Sequence, residues 1–442
     1  MISIKIKHLI LTLCVFVSAW LLIAQTTGSL FLLLPCLACF FALSVWSAIK
    51  GLAMPVLLFF LPFSSLLRVG KDDTSFFTIA LLAVYLVYIV KGLQNIGIYH
   101  LIPGLAIIAL TMVVKTLYGY SFDNSYILFS ASLLLIPFLS REINGDYDFY
   151  WMTLFFVIGI SLSAITAQYL VFFPNISRFI NTFELFGATR FSGYYGDPNF
   201  YSAHITAALG GVLIQLLKPA SRKKVLALII MASFLMYCGL ISLSKSFFLI
   251  AVCLILLWLL ALLFGKGKIS AKVTILIVSL IGIAFLLSTT VFTDAIDSIL
   301  DRFSRDNSIS DFTTRRTDIW AEYIHAIIND PMLLLFGNGY DAMLIGERAS
   351  HNTVIQSVFQ FGLIGSVFLT VWLVCFARNF LRNISLKWSD MISAIIILIG
   401  AIGPWMAIDA LFFDEFFLMP IFACFGIRFL SDKNNSLRTV PK

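Results

Sequence analysis

Apolar segments of about 20 residues recur along the whole chain, and each is long enough to cross the hydrocarbon core of a membrane as a helix. Backbone groups in lipid must be satisfied within the span, and the short alternating segments of a membrane barrel are missing. Composition agrees, since 60% of the 442 residues are hydrophobic, 12% are charged and the mean hydropathy is +0.98. We therefore predict an all-α polytopic integral membrane protein that forms a single membrane domain over residues 1–442.

The hydropathy pattern predicts about 12–14 transmembrane helices. The number is a range because the third, fourth and last candidate spans are short or closely spaced. The candidate spans lie near residues 8–25, 29–48, 52–68, 75–92, 99–116, 124–140, 150–173, 198–217, 225–241, 246–264, 273–291, 351–376, 389–408 and 412–430.

The placement of lysine and arginine predicts the orientation of these spans. Basic clusters at 218–224, 265–272 and 378–387 and in the tail at 428–442 fall on one side of the membrane if both termini are cytoplasmic. Loops retained in the cytoplasm carry such an excess. The net charge of +7 therefore reflects topology, and we expect no nucleic acid among the partners.

Two connections on the predicted external side are long, whereas the others are short. The first is residues 174–197, and the second is a large loop over residues 292–350. Long loops in a compact protein commonly carry function. The candidate functional residues are therefore sought in these two loops and where they join the spans.

The first loop ends in a polar and aromatic stretch directly before an apolar helix. Asp197 or Asn199 is suited to cap that helix, with a proline near its first turn, and this structural role is the favoured one. Arg190 is not needed for a cap, and it lies near Tyr194 and Tyr195. A guanidinium at a membrane surface suits a phosphate or diphosphate group.

The second loop contains a predicted amphipathic helix that ends near Asp330 and Pro331. Its apolar face is predicted from helical spacing to comprise Ile319, Tyr323, Ile324, Ile327 and Ile328.

Two adjacent arginines stand at the start of this helix, in a loop that is acidic as a whole, with ten Asp and Glu against five Arg. Arg316 and Trp320 are one turn apart and share a face, and Arg315 is adjacent. The arginines either pair locally with Asp318 or Glu322 or bind an anionic ligand, and the sequence leaves both readings open.

A histidine stands where the large loop re-enters the membrane. His351, followed by Asn352, lies at the predicted depth of a lipid-linked phosphate, and its near-neutral pKa suits a general base. Lys245 lies in a short external turn, against the positive-inside trend, and is either a snorkelling anchor or an anion contact.

An ordered set of motifs resembles the O-antigen polymerase and O-antigen ligase superfamily of bacterial inner membranes. The set comprises the stretch from Arg190 to Asn199, Arg316 four residues before Trp320, the Gly-Asn-Gly turn at 337–339, and His351-Asn352 followed by the Phe-Gly-Leu-Ile-Gly stretch at 361–365. A large external loop before the last spans is also similar to that family. The resemblance covers about residues 190–365, and residues 1–150 add hydropathy alone.

The resemblance implies glycosyl transfer from an undecaprenyl-diphosphate-linked saccharide, without a metal or other cofactor, in a fold resembling the C-type glycosyltransferases. Arg190 and Arg316 would hold the diphosphate, with Arg315 able to replace Arg316, and His351 would activate the acceptor hydroxyl. Residues expected to contact the substrate are Arg315, Lys245, Tyr194, Tyr195, Asp197, Asn199, Trp320 and Asn352. Membrane lipid is a further expected partner, as are a chain-length regulator and a flippase of the same pathway.

The leading interpretation is a polymerase that joins repeat units into O-antigen, capsule or exopolysaccharide, with its site facing the periplasm or exterior. The nearest alternative is a ligase that transfers the finished glycan to lipid A-core. A lipid-linked oligosaccharide flippase or another transporter is the second alternative. It is disfavoured because the sequence shows no internal repeat and few charged residues within the spans.

Overall fold

A computed structural model gives the fold of most of the chain. It describes residues 4–70, 73–91, 101–137, 149–180, 182–185, 188–218, 221–264, 272–273, 276–277, 279–280, 288, 290–304, 313–343, 348–381, 384, 386, 388–412 and 414–431.

The described residues are mostly helical, as the apolar pattern predicts. The helices are α1 (Ile4–Thr27), α2 (Leu30–Ile49), α3 (Ala53–Phe60), α4 (Phe76–Val90), α5 (Ile102–Leu117), α6 (Asn124–Leu135), α7 (Phe149–Leu170), α8 (Pro174–Ser177), α9 (Pro198–Leu216), α10 (Arg222–Ile241), α11 (Lys245–Phe264), α12 (Thr290–Ser304), α13 (Arg316–Asn329), α14 (Pro331–Phe336), α15 (Thr353–Phe380), α16 (Trp388–Ile402) and α17 (Glu415–Leu430). Short 3₁₀ segments follow α3 at Leu61–Phe63 and connect α16 to α17 at Gly403–Met406 and Ala410–Phe412.

Within the described part of the chain, six helices are long and apolar enough to cross a membrane, namely α1, α2, α7, α10, α11 and α15. Six shorter apolar helical segments accompany them, at Ala53–Phe63, Phe76–Val90, Ile102–Leu117, Asn124–Leu135, Asp390–Met406 and Phe416–Leu430. The protein is therefore an all-α polytopic membrane protein. The predicted span at 273–291 lies largely outside the described residues.

Helix α9 lies at the centre of the bundle, and nearly every one of its side chains is buried. It packs against α7, α10, α11 and α16. Its crossing with α16 is close because Gly210 and Gly400 face each other, and Thr206 Oγ1 donates to the Gly400 carbonyl at 3.1 Å. Small residues and interhelical hydrogen bonds are the usual means of holding helices together in lipid. The central position of α9 fixes the loop that precedes it.

The first long loop contains a small β-hairpin, which the sequence pattern does not predict. Strand β1 (Thr182–Leu185) pairs antiparallel with β2 (Ala188–Phe191), so that Phe183 lies opposite Arg190. Four-residue strands are too short for a reliable alternating pattern. The hairpin places Arg190 at the end of β2, shortly before α9.

The second long loop contains helices α12, α13 and α14. The predicted amphipathic helix is confirmed as α13, and the Asp330 carboxylate caps α14 by accepting from the backbone N–H groups of Met332 and Leu333. The predicted apolar face is only partly buried. Tyr323 and Ile327 pack against Leu333 and Phe359, whereas Ile324 and Ile328 are exposed, because they lie about 100° further around the helix.

Helix α15 is broken near its beginning, and the Gly-Asn-Gly turn fills the break. Gly362 has φ 64°, and the N–H groups of Asn338 and Gly339 donate to the carbonyls of Phe359 and Gln360 at 2.8 and 2.9 Å. These carbonyls would otherwise be left without helical partners at the kink. A Cβ on Gly362 would lie 2.3 Å from the carbonyl oxygen of Leu335, so the two segments require glycine at this contact.

Candidate functional site

Four ionisable side chains from four distant parts of the sequence meet at the end of the bundle where α9 and α15 begin. They are Asp197, Arg316, His351 and Asp409. The charges of Asp197 and Asp409 affect both Arg316 and His351, and the charge of Arg316 also affects His351. The sequence motifs predict the first three as site residues. We call these four residues the charged cluster.

Asp197 is positioned as the cap of the central helix. Its Oδ1 accepts from the backbone N–H of Asn199 at 2.6 Å, and Pro198 occupies the first helical position. The predicted capping role is confirmed. The same carboxylate also faces the charged cluster, because its negative charge opposes the lowering of the Arg316 pKa. A carboxylate at a helix N-terminus is stabilised by the helix dipole and needs no cation of its own.

Asp409 holds the turn that carries His351. Its carboxylate accepts from the backbone N–H of His351 at 2.8 Å, from that of Asn352 at 3.2 Å, and from the Ser350 hydroxyl. His351 itself adopts the left-handed conformation with φ 51°, which few side chains tolerate. Asp409 therefore fixes the position from which the imidazole projects.

Asp409 belongs to the charged cluster but is not among the site residues predicted from the sequence. It lies between two closely spaced apolar segments, near 389–408 and 412–430, whose hydropathy predicts membrane spans. An acidic residue inside such an apolar region is itself a signal of function, because its burial in lipid is costly.

The indole of Trp320 supports the same turn. Trp320 Nε1 donates to the Ser350 carbonyl at 2.9 Å, one helical turn beyond Arg316 on α13. The carboxamide oxygen of Asn352 is engaged as the cap of α15, accepting from the N–H groups of Val354 and Ile355. These two predicted substrate contacts thus hold the backbone around His351.

The two arginines at the start of α13 have different surroundings. Arg315 is exposed, whereas Arg316 is half-buried and faces Asp197 and Asp409. Burial lowers the pKa of the Arg316 guanidinium, and the two carboxylates oppose that shift. An arginine side chain remains protonated in this setting. Among the described residues, no hydrogen bond and no ion pair within 4.0 Å is formed by the Arg316 side chain.

The imidazole of His351 is half-buried and is neutral at neutral pH. Burial and, second, the neighbouring Arg316 charge lower the pKa of His351 below its ordinary value of 6.5, against the opposing effect of Asp409 and Asp197. A neutral imidazole can accept a proton, which a protonated one cannot.

Three other predicted residues lie at or beside the turn between α10 and α11. Arg190 Nε donates to the Ser242 carbonyl at 3.3 Å, and Asn199 Oδ1 accepts from the Ser244 hydroxyl at 3.0 Å, so both contact the turn between α10 and α11. Lys245 begins α11, and its Nζ lies 5.4 Å from the ring centroid of Phe303 on α12. The structure therefore places Arg190 beside that turn.

Tyr194 and Tyr195 are buried, and their hydroxyls bond to the protein. Tyr194 donates to Thr166 Oγ1 at 2.9 Å, and Tyr195 donates to the Leu61 carbonyl at 2.8 Å. They anchor the stretch before Asp197 to α7 and to the 3₁₀ segment after α3.

In this arrangement, Arg316 can donate hydrogen bonds to an anion, and the nearby His351 can accept a proton. A half-buried guanidinium that forms no hydrogen bond within the described residues suits an anionic ligand such as phosphate, which its planar group of donors can bind in two places at once. A neutral histidine near this guanidinium can remove a proton from a hydroxyl.

No protein-family model matches the sequence, and no curated protein matches it either.

Proposed function

We propose that the protein is a membrane glycosyltransferase that joins undecaprenyl-diphosphate-linked oligosaccharide units into a bacterial surface polysaccharide. The observation that carries the proposal is the pair of Arg316, whose guanidinium forms no hydrogen bond within the described residues, and the neutral His351 in the charged cluster. The ordered motifs resembling the O-antigen polymerase and ligase superfamily support it. On this proposal the fold is of the C-type glycosyltransferase kind and the site faces the periplasm of an inner membrane.

The proposed reaction is a displacement at the anomeric carbon of the donor sugar. The acceptor hydroxyl oxygen forms the new bond to that carbon, and its proton passes to the His351 imidazole. The bond between the anomeric carbon and the diphosphate oxygen breaks, and the lipid diphosphate leaves with the electron pair. Arg316 stabilises the negative charge that develops on the leaving group.

Two neighbouring substitutions test the role of Arg316. Arg316→Ala is expected to reduce chain growth by about 10²–10³-fold, the typical effect of removing one donor to a developing anion. Arg315→Ala is the matched control, because Arg315 is adjacent but exposed, and it is expected to retain normal growth. The measurement is the length distribution of surface polysaccharide at equal amounts of membrane-inserted protein. Equal activity of the two variants would contradict the assignment.

A strain lacking the gene distinguishes the polymerase from its nearest alternative. A polymerase defect leaves one repeat unit on the final acceptor, whereas a ligase defect leaves long chains on undecaprenyl diphosphate. A normal surface glycan would overturn both activities.

A further inference from the structure

A cavity of about 480 Å³ with hydroxyl-bearing, charged and aromatic wall residues is not used by the chemistry described so far. Its walls come from the segment after α3, the beginning of α4, α6, the stretch before α9 and the beginning of α17. Such a volume is in the range of small-molecule sites. Its hydroxyl-bearing wall residues include Ser64, Ser65, Thr74, Thr78, Ser125 and Ser132.

The charged residues around this cavity balance one another. Arg68 and Arg178 contribute two positive charges, and Asp73 and Asp414 contribute two negative charges. A diphosphate placed here would meet two carboxylates as well as two guanidinium groups, so the cavity offers little net attraction to an anion. It favours a ligand that is polar but uncharged.

The hydroxyl and carboxylate groups suit a ligand that both donates and accepts hydrogen bonds. Serine and threonine hydroxyls can do both, and an ionised carboxylate accepts several bonds at once. Thr78 Oγ1 donates to Asp414 Oδ2 at 2.9 Å, which holds that carboxylate at the wall. A carbohydrate, with hydroxyls around its ring, has the matching chemistry.

Aromatic rings give the cavity an apolar side. Phe129 stacks on Tyr340 with ring centroids 4.7 Å apart, and Phe417 lies 5.9 Å from Phe129. All three rings line the cavity. A wall that combines flat apolar surface with many hydroxyls fits an amphipathic ring better than a simple ion or an alkyl chain.

The cavity adjoins the charged cluster through the backbone on two sides. Gly196 lines the cavity directly before Asp197, and Leu411 lines it two residues after Asp409. The Leu411 N–H also donates to Gln356 Oε1 on α15, at 3.4 Å, next to the His351 turn. The cavity and the charged cluster therefore share two backbone segments, those at Gly196–Asp197 and Asp409–Leu411.

We infer that this cavity binds an uncharged saccharide portion of the acceptor and presents its hydroxyl to His351. The inference rests on the proposed glycosyl transfer and adds to it a recognition site for sugar that is separate from the diphosphate contacts. It requires that sugar without lipid diphosphate binds the protein.

Filling the cavity from its edge tests the inference. Ser125 lines the cavity but is exposed on the first turn of α6, so Ser125→Trp can extend a ring into it without disturbing the core. Ile127→Trp on the same helix is the matched control, because Ile127 is 57% exposed and does not line the cavity. The full-length protein in nanodiscs is titrated calorimetrically with oligosaccharides released by mild acid from the parent strain's surface polysaccharide. Inorganic pyrophosphate serves as the anionic probe.

We expect the oligosaccharide to bind the wild type and Ile127→Trp equally and Ser125→Trp at least about ten-fold more weakly, which corresponds to about 1.4 kcal/mol. Pyrophosphate binding should be unchanged by Ser125→Trp. The inference is overturned if the wild type binds no oligosaccharide or if the two tryptophan variants bind it equally. It is also overturned if Ser125→Trp weakens the binding of pyrophosphate instead of the binding of oligosaccharide.

Failure of the inference and failure of the proposed function give different results. If Arg316→Ala stops chain growth but Ser125→Trp leaves oligosaccharide binding intact, the proposed glycosyl transfer is supported and the proposed sugar site in the cavity is contradicted. If Ser125→Trp weakens oligosaccharide binding but Arg316→Ala leaves chain growth normal, the proposed sugar site is supported and the proposed chemistry is contradicted.

Discussion

At the scale of single residues, His351 combines an uncommon backbone conformation with a specific set of contacts. Its φ of 51° is held by the Asp409 carboxylate, which accepts from the N–H groups of His351 and Asn352. Left-handed backbone is found mostly at glycine, asparagine, aspartate and histidine. The role of the ring can therefore be separated from the role of the turn by choosing a substitute that tolerates this conformation.

The substitution His351→Asn keeps the turn and removes the imidazole. We expect chain growth to fall by about 10²–10⁴-fold, as for loss of a general base, with little change in thermal stability. His351→Ala should lose the same activity and, in addition, some stability, because alanine tolerates the left-handed backbone less well than histidine or asparagine. Polysaccharide length and unfolding temperature in detergent are measured for both. Full-length polymer from His351→Asn would show that the ring is not the base.

The lowered pKa of His351 predicts the pH range in which transfer activity is lost as the pH falls. The ring stays neutral, and able to accept a proton, to a lower pH than an ordinary histidine of pKa 6.5. Transfer measured in nanodiscs should therefore decline only below pH 6.5 as the ring becomes protonated. The unfolding temperature, measured over the same pH range, separates protonation from denaturation. A decline centred above pH 6.5 would contradict the burial of the ring beside Arg316.

The sequence indicated part of the charged cluster but not how it is held. Asp197, Arg316 and His351 could be predicted because each is polar, near a predicted span end and on the same predicted side. Asp409 was missed because hydropathy treats its neighbourhood as two spans. The contact from Trp320 to the Ser350 carbonyl could not be predicted, since it joins residues 30 positions apart in a loop of unknown path.

At the scale of elements, the break in α15 connects the large loop to the bundle. The chain from Leu335 to Gly339 lies against Phe359 to Gly362, with backbone directly on backbone. The two Gly-containing stretches were each visible in the sequence, but their mutual contact was not, because pairing of backbone segments leaves no periodic pattern. Helices, in contrast, were predictable from apolar runs, and their observed ends differ by a few residues from the predicted ones.

Substitution of the glycine at the break should destabilise the protein. Gly362→Ala places a Cβ 2.3 Å from the Leu335 carbonyl oxygen and forces alanine into a left-handed conformation, which alone costs about 1–2 kcal/mol. Gly403→Ala is the matched control, since its Cβ would meet its nearest atom at 3.5 Å, an ordinary contact. The unfolding temperature in detergent should fall for the first variant only. Equal stability of both variants would contradict the close backbone contact.

At the scale of the whole molecule, the charged cluster and the cavity lie at one end of the helical bundle. Asp197 and His351 stand before the first turns of α9 and α15, and Asp409 lies between α16 and α17. Basic loops are predicted for the opposite, cytoplasmic side. This polarity suits an enzyme that works at one membrane face.

Thiol labelling of intact cells tests that orientation. In a variant without native cysteines, Arg315→Cys and Trp388→Cys are both exposed positions, predicted to lie on opposite sides. A membrane-impermeant maleimide should label the first in intact cells and the second only after permeabilisation. Chain growth of the cysteine-free parent is the control for folding. The reverse pattern would place the charged cluster in the cytoplasm.

The union of residues 197, 316, 351 and 409 in one cluster also constrains the order of events during biosynthesis. Helix α9 and the large loop are made and inserted long before the ribosome reaches Asp409. Until that carboxylate arrives, the histidine turn lacks the acceptor that holds its two N–H groups. A partly translated chain therefore already carries Arg316 and His351 but lacks the carboxylate that holds the histidine turn. On the proposed function, activity would begin only after Asp409 has been made and inserted.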